Sequence, residues 1–158
     1  VARALLADAR TVLDESQSRS LMLSALDGGT VALLLACERF VCPSYVMTEA
    51  LIRACNYQDT DALRALLASP QSLPSLLKGT FLGTVVHSPR CGPGLSLLLR
   101  DPRLRMTADH NGQTALHHAA MYNNETAFGM LLEDGRVDVG ARDNQGRVAD
   151  DCWGTCES

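Results

Sequence analysis

Three places in the chain bring together residue types that could do chemistry. His117 and His118 stand side by side in "TALHHAAMY", His87 and Cys91 share "HSPRC", and Cys152 and Cys156 bracket Trp153 in "CWGTC". Neighbouring residues on a helix point about 100° apart. His117 and His118 therefore do not converge on one ion as an i, i+4 pair does. A zinc site uses four ligands, usually with a tighter Cys-x-x-Cys, and no second cluster faces Cys152 and Cys156. They read as two thiols beside a tryptophan near a chain end. His87 and Cys91 could be drawn as base and nucleophile, but no third group orients them and no oxyanion donor is legible. The sequence holds no glycine-rich phosphate loop after a strand, no paired carboxylates and no Ser–His–Asp set. The expectation is a protein that is not an enzyme, with no catalytic residue, no metal site and no cofactor.

Without a reaction to position, the elements themselves become the question. At 158 residues the chain fits one domain over 1–158. Apolar residues at 46% supply a core, and a charged fraction of 20% argues against disorder. Leu and Ala dominate while aromatics reach only 4%, which favours helix. A net charge of −4 offers no chain-wide attraction to nucleic acid or anionic lipid. No apolar run is long enough for membrane insertion. Six cysteines are too dilute for a stapled mini-domain, and they read as reduced thiols of a cytoplasmic or nuclear protein. The first residues, "VARALLADAR", lack both a Met and the features of a signal peptide, so the reading is a piece of a longer protein.

Charge is distributed unevenly. Between Arg90 and Arg105 four arginines meet one aspartate, whereas between Glu133 and Asp151 six acids meet three arginines. Such runs form solvated faces or match a partner of opposite polarity.

A ruler runs along the chain. Leucine pairs begin at Leu5, Leu34, Leu66, Leu98 and Leu131, in nearly even steps of roughly 30 residues, a spacing typical of repeat architectures. Sliding the chain along itself by two such steps lays "EALIRACNYQDTDALRALLASP" over "TALHHAAMYNNETAFGMLLEDG". Ala50 then matches Ala115, Leu51 matches Leu116, Ala54 matches Ala119, Tyr57 matches Tyr122 and Ala62 matches Ala127. Each copy holds two short apolar-periodic stretches joined by a polar connector, a helix–turn–helix unit of about 33 residues. The units end alike, at Pro70, Pro102 and Gly135: proline cannot continue a helix, and glycine supplies the left-handed residue that closes one.

The segment "DHNGQTALHHAAMYNNETAFGMLLEDGRVDVGARD" resembles the ankyrin-repeat family. The pattern D-x-x-G-x-T-P-L-H-x-A-A appears as Asp109, Gly112, Thr114, Leu116, His117, Ala119 and Ala120, with Ala115 in place of proline. "DNQGRVADD" opens a further copy, in which Val148 and Asp150 replace the usual Thr and Leu. The resemblance is specific for residues 109–151, has register support over 49–70, and is degenerate elsewhere. It implies an all-α solenoid of about four full or near-full repeats with partial ends. Asp109 to Gly112 would make a tight turn and Thr114 would cap the first helix. His117 would be structural, bonding the capping Thr and the backbone of the adjacent repeat. His118, at the variable position after it, would lean towards the concave surface. The family includes proteins hydroxylated on an Asn in a "D-V-N" stretch, where this chain has Gly140.

Around 70–105 the pattern weakens. Pro70, Pro74, Pro89 and Pro93 break helices, and "GTFLGTVV" taken alone could be a buried strand. The register of Leu98 and Leu99 instead predicts a degenerate repeat with a lengthened entry loop, "CGPG" as the inter-helix turn, and a shortened second helix. Upstream, "SLMLSALDGGTVALLLACE" reads as helix, turn at Gly28 and Gly29, and helix; "VARALLADA" reads as the second helix of a cut unit. Asp150, Asp151, Glu157 and Ser158 read as a polar finish.

The resemblance implies a protein-binding module, a scaffold or adaptor for a protein or peptide partner. Contacts would come from the exposed side of first helices, at Asn56, Tyr57, His118, Met121 and Tyr122. The turn tips would add His110, Asn111 and Gln113 on one finger and Arg142, Asn144 and Gln145 on the next. Tyr57 and Tyr122 read equally as interface anchors or as ordinary packing residues. A structural spacer and an accessory domain of a larger enzyme are the other readings; nucleic-acid binding ranks last.

Overall fold

A computed structural model describes residues 15–24, 31, 43–70 and 79–155. The expectations for "VARALLADA", the Gly28–Gly29 turn, the entry loop over 71–78, Cys156, Glu157 and Ser158 lie outside these. Among the described residues every regular element is helical: α1 (Glu15–Ser24), α2 (Ser44–Asn56), α3 (Thr60–Ala68), α4 (Gly79–Val85), α5 (Gly92–Leu99), α6 (Ala115–Met121), α7 (Glu125–Asp134) and a 3-10 turn, Ala149–Cys152.

The pairs α2–α3 and α6–α7 are built alike for local reasons. A left-handed residue follows the first helix in each, Gln58 at φ 59° and Asn123 at φ 52°. The next residue caps the second helix: Asp59 accepts from the Ala62 N–H at 2.9 Å, and Asn124 from the Ala127 N–H at 3.1 Å. These positions coincide under the same two-unit shift that aligns the two sequences. A side-chain oxygen at the N-cap satisfies one of four orphan donors. Gly135, at φ 71°, closes α7 as expected of a left-handed cap.

Packing joins first helices to first helices and second to second. α4 touches both α2 and α6, while α5 touches both α3 and α7, and α1 lies against α2. Leu51, Leu63, Leu66, Phe81, Leu82, Leu95, Leu98, Leu116 and Leu131 form one continuous core between the rows. Each such side chain contributes about 1.5–3 kcal/mol by leaving water. Two Asp-x-Arg pairs staple successive units. Arg103 grips Asp101 and donates to the Leu67 carbonyl; Arg136 grips Asp134 and donates to the Leu99 carbonyl. Those carbonyls sit near the ends of α3 and α5, where intrahelical donors run out.

One local expectation is corrected and one ambiguity resolved. "GTFLGTVV", which taken alone could be a strand, is helical as the repeat register predicts, with α4 over Gly79–Val85. Phe81, Leu82 and Val85 are buried at helical spacing while Thr80 and Thr84 face water, so tertiary packing overrides the β-branched preference. "CGPG" is not the inter-helix turn. Cys91 is the N-cap and Gly92, Pro93 and Gly94 form the first turn of α5, where a proline's missing N–H costs nothing. The turn is made by residues 86–90 instead. α5 has eight residues against ten in α7.

Gly94 explains the unusual start of α5: a Cβ there would lie 2.7 Å from the Cα of Cys55 on α2. Gly94→Ala forces two backbones apart and is expected to lower stability by about 1–3 kcal/mol. Gly129 lies within α7, and a Cβ there meets nothing within 4 Å. Gly129→Ala is therefore expected to raise stability by about 1 kcal/mol. Urea unfolding of both variants checks the pair; a neutral Gly94→Ala would refute the close approach of α5 to α2.

Candidate functional site

Two fingers with the same hydrogen-bond plan precede α6 and the 3-10 turn. In the first, Asp109 Oδ1 accepts the N–H groups of Asn111 and Gln113, both at 2.9 Å, and Gly112 takes φ 73°. In the second, Asp143 Oδ1 accepts those of Gln145 and Arg147, both at 2.9 Å, and Gly146 takes φ 78°. An aspartate accepting its own following N–H groups defines such a turn, and glycine enters the left-handed region without a steric penalty. The fingers touch each other: the Asn144 N–H donates to the Asn111 carbonyl at 2.9 Å, and Asn144 Nδ2 to that of His110 at 3.0 Å.

His117 is fully buried and joins the two units. Its Nδ1 accepts the Thr114 N–H at 3.2 Å, with the Thr114 hydroxyl 2.9 Å away. Its Nε2 lies 3.1 Å from the Arg147 carbonyl, which can only accept. The ring is thereby fixed with its proton on Nε2, as a bolt between Thr114 and the next finger.

His118 has a different role. Its Nε2 lies 3.1 Å from Asp109 Oδ2 and its Nδ1 lies 3.3 Å from Nε2 of His87. His87 in turn stacks on Tyr122, ring centroids 4.0 Å apart. Burial and the neighbouring His118 hold His87 below its ordinary value. Burial would raise Asp109, but the Gln113 N–H, His118 and the Asn111 N–H outweigh it and hold the carboxyl low. The link from His87 to His118 joins two units, and no local pattern announces it; spacing alone sets His87 only beside Cys91.

Of the other residues read as contacts, Tyr57 is 74% exposed and Tyr122 41%, each directly after a first helix. His110, Asn111, Arg142, Asn144 and Gln145 are exposed, and Met121 and Asn56 are half-buried. Arg142 donates to the Gly146 carbonyl at 2.6 Å within its own finger. Gln113 is buried, because the finger folds its chain inward at that point, so it is not an open tip. His118 is likewise largely covered, wedged between Asp109 and α4, and does not present a free face. The unequal charge runs are also partly spent inside the fold: Arg103 pairs with Asp101, Arg136 with Asp134 and Arg147 with Asp143.

The thiols are poorly placed for chemistry. Cys55, Cys91 and Cys152 are buried. Burial, with Cys91 beside it, pushes the Cys55 thiol up to about 12. Burial likewise raises Cys91 despite the Asn124 amide, and raises Cys152. Among the described residues no three His, Cys, Asp or Glu side chains are arranged to hold a metal ion, and no helix is long and apolar enough to cross a membrane.

This geometry can be tested through stability. His117→Leu leaves the Thr114 N–H and the Arg147 carbonyl without partners, each worth about 1–3 kcal/mol. The variant is expected to lose roughly 2–4 kcal/mol in urea unfolding, and a loss well under that range would show the bolt to be dispensable. Hydrogen bonds from Arg103 and Arg136 hold Asp101 and Asp134 below 3.8, and Asp109 is low for the reasons above. Depressed carboxylates stabilise the fold above that value, and the contribution is lost as pH falls through their folded values. Unfolding between pH 4 and 2 should therefore take up protons; titration with no net uptake would contradict these assignments.

Residues 111–144 match the family model described as the ankyrin repeat. No curated protein matches the chain. The matched residues take in the rest of the first finger, the Thr114–His117 pair, both helices α6 and α7, and the start of the finger that closes on them, so the likeness to the ankyrin repeat spans one helix–turn–helix unit.

Proposed function

We propose that the chain is a non-enzymatic protein-interaction module, a scaffold or adaptor built as an ankyrin-type solenoid of about four units forming one domain over 1–158. Stacked short helices form a rigid surface, so that binding costs little ordering entropy. The observation that carries the reading is the pair Tyr57 and Tyr122, exposed at equivalent places two units apart. Tyrosine offers a large contact area with few torsions to freeze, and it is over-represented among interface anchors. Around it, the reading uses Met121 and Asn56 on the first-helix side and His110, Asn111, Asn144 and Gln145 on the fingers. Gln113 and His118 serve as supports beneath that surface. The absence of catalysis is supported by thiols raised through burial and by a His87 already engaged with His118. A protein or peptide partner within the cytoplasm or nucleus suits this reading, with no cofactor required.

The test compares the wild-type chain with a Tyr57→Ala/Tyr122→Ala double variant, after circular dichroism shows equal helicity. Proteins retained from cell extract are identified and their affinities measured against both. A partner that binds the wild type and loses at least about 2 kcal/mol on the variant supports the tyrosine surface. Equal affinity moves the interface to the fingers, and no retention by either favours a spacer.

A further inference from the structure

The contact between His87 and His118 crosses a seam. His87 lies in the turn after α4, while His118 belongs to α6, and α4 and α6 pack together. Asp109 is a carboxylate and can only accept, so His118 Nε2 carries a proton. What remains free to vary is the 3.3 Å link between His118 Nδ1 and His87 Nε2.

Proton counting gives three cases. With no added proton, His87 Nε2–H donates to the bare His118 Nδ1, and His87 Nδ1 is bare. With one, His118 Nδ1–H donates to the bare His87 Nε2, and His87 carries its proton on Nδ1. The bond survives with its direction reversed, and Asp109 compensates the charge. With two, N–H faces N–H and like charges meet, so no hydrogen bond is possible at that distance.

Each ring is restrained from one side. His118 packs against Gly83 of α4, where a Cβ would come within 2.8 Å of its Cδ2. The His87 turn is pinned from the other unit, because Asn124 Nδ2 donates to the Val86 carbonyl at 2.8 Å and that of Ser88 at 2.9 Å. The groups that face the pair from the packed elements are Asp109 from the finger and the Tyr122 phenol from the end of α6. The Asn124 amide of α7 and the Cys91 thiol at the start of α5 also border the turn. From the connection between α2 and α3 comes the neutral Gln58, on the Arg90 carbonyl at 3.2 Å, and the Arg90 side chain is exposed. Among the described residues Asp109 alone supplies a contacting negative charge.

We propose that Asp109, His118 and His87 form a proton-counting latch between α4 and α6, closed with no more than one added proton and released by the second. The lowered value of His87, caused by burial and then by His118, fits a second proton that enters only below the ordinary 6.5. The sign follows: a depressed imidazole stabilises the fold above 6.5, and that stabilisation is lost as pH falls through the lower folded value. Release breaks the link that holds the His87 ring, which stacks on Tyr122, to α6.

Imidazole nitrogen NMR on the 158-residue chain from pH 8 to 4.5 tests this directly. The expected result is two separated steps for the His87–His118 pair, with the amides of Val86, Ser88 and Asn124 moving in the second. Superimposed single steps, or those amides unmoved by the second, would overturn the latch. His87→Phe keeps a ring on Tyr122 and removes the coupled protons. Below pH 6.5 the wild-type folding constant should fall up to about tenfold more per pH unit than that of the variant. Equal slopes would overturn the proposal as well, and the wild-type NMR decides alone if the variant does not fold.

Discussion

Polar groups at the edge of one unit are satisfied by side chains from its neighbour, and the architecture depends on that exchange. Helices of seven to thirteen residues are too short to persist alone in water. Their apolar faces are closed only by neighbours, and so are their polar ends. The Leu67 and Leu99 carbonyls receive Arg103 and Arg136, the Val86 and Ser88 carbonyls receive Asn124, and the Arg147 carbonyl receives His117. Each of these bonds reaches across units, and so each of these side chains fixes a register as well as a contact. The leucines fill the space between rows without specifying which turn meets which. The polar side chains do that.

The repeat is legible because its signals are local. Leucine spacing, the polar connectors and the stops at proline or glycine all act within one unit, and the fingers and N-caps follow from residues at most five apart. Thr114 and His117 can be paired from spacing together with family resemblance. What stays hidden acts across units. "GTFLGTVV" reads ambiguously because its β-branched residues are held helical by α2 and α6, which no local propensity encodes. "CGPG" reads as a turn because glycine and proline usually break helices; here Gly94 exists to let α5 approach Cys55. His118 reads as a surface residue because its neighbours Asp109 and His87 are distant in sequence.

The same limit applies to charge. Counting arginines and acids along the chain suggests two faces of opposite sign, but three of the arginines are ion-paired two or four residues from their own position in the chain. A charge that grips its neighbour while donating to a carbonyl one unit away is a fastener, and it contributes less field to the surroundings than a formal count implies. Exposed tyrosines and finger tips are a better guide to a recognition surface here, because they present contact area to solvent.

Four of those fasteners run in one direction along the chain, while His117 on the Arg147 carbonyl runs in the other. The carbonyls of Leu67, Val86, Ser88 and Leu99 all precede their donors, each by about one unit. When the protein is synthesised, each of these units leaves the ribosome with acceptors whose partners have not yet been translated. It can collapse, but its last turn is finished only by its successor. At these four bonds assembly therefore lags synthesis by about one unit, the later segment locking the earlier one.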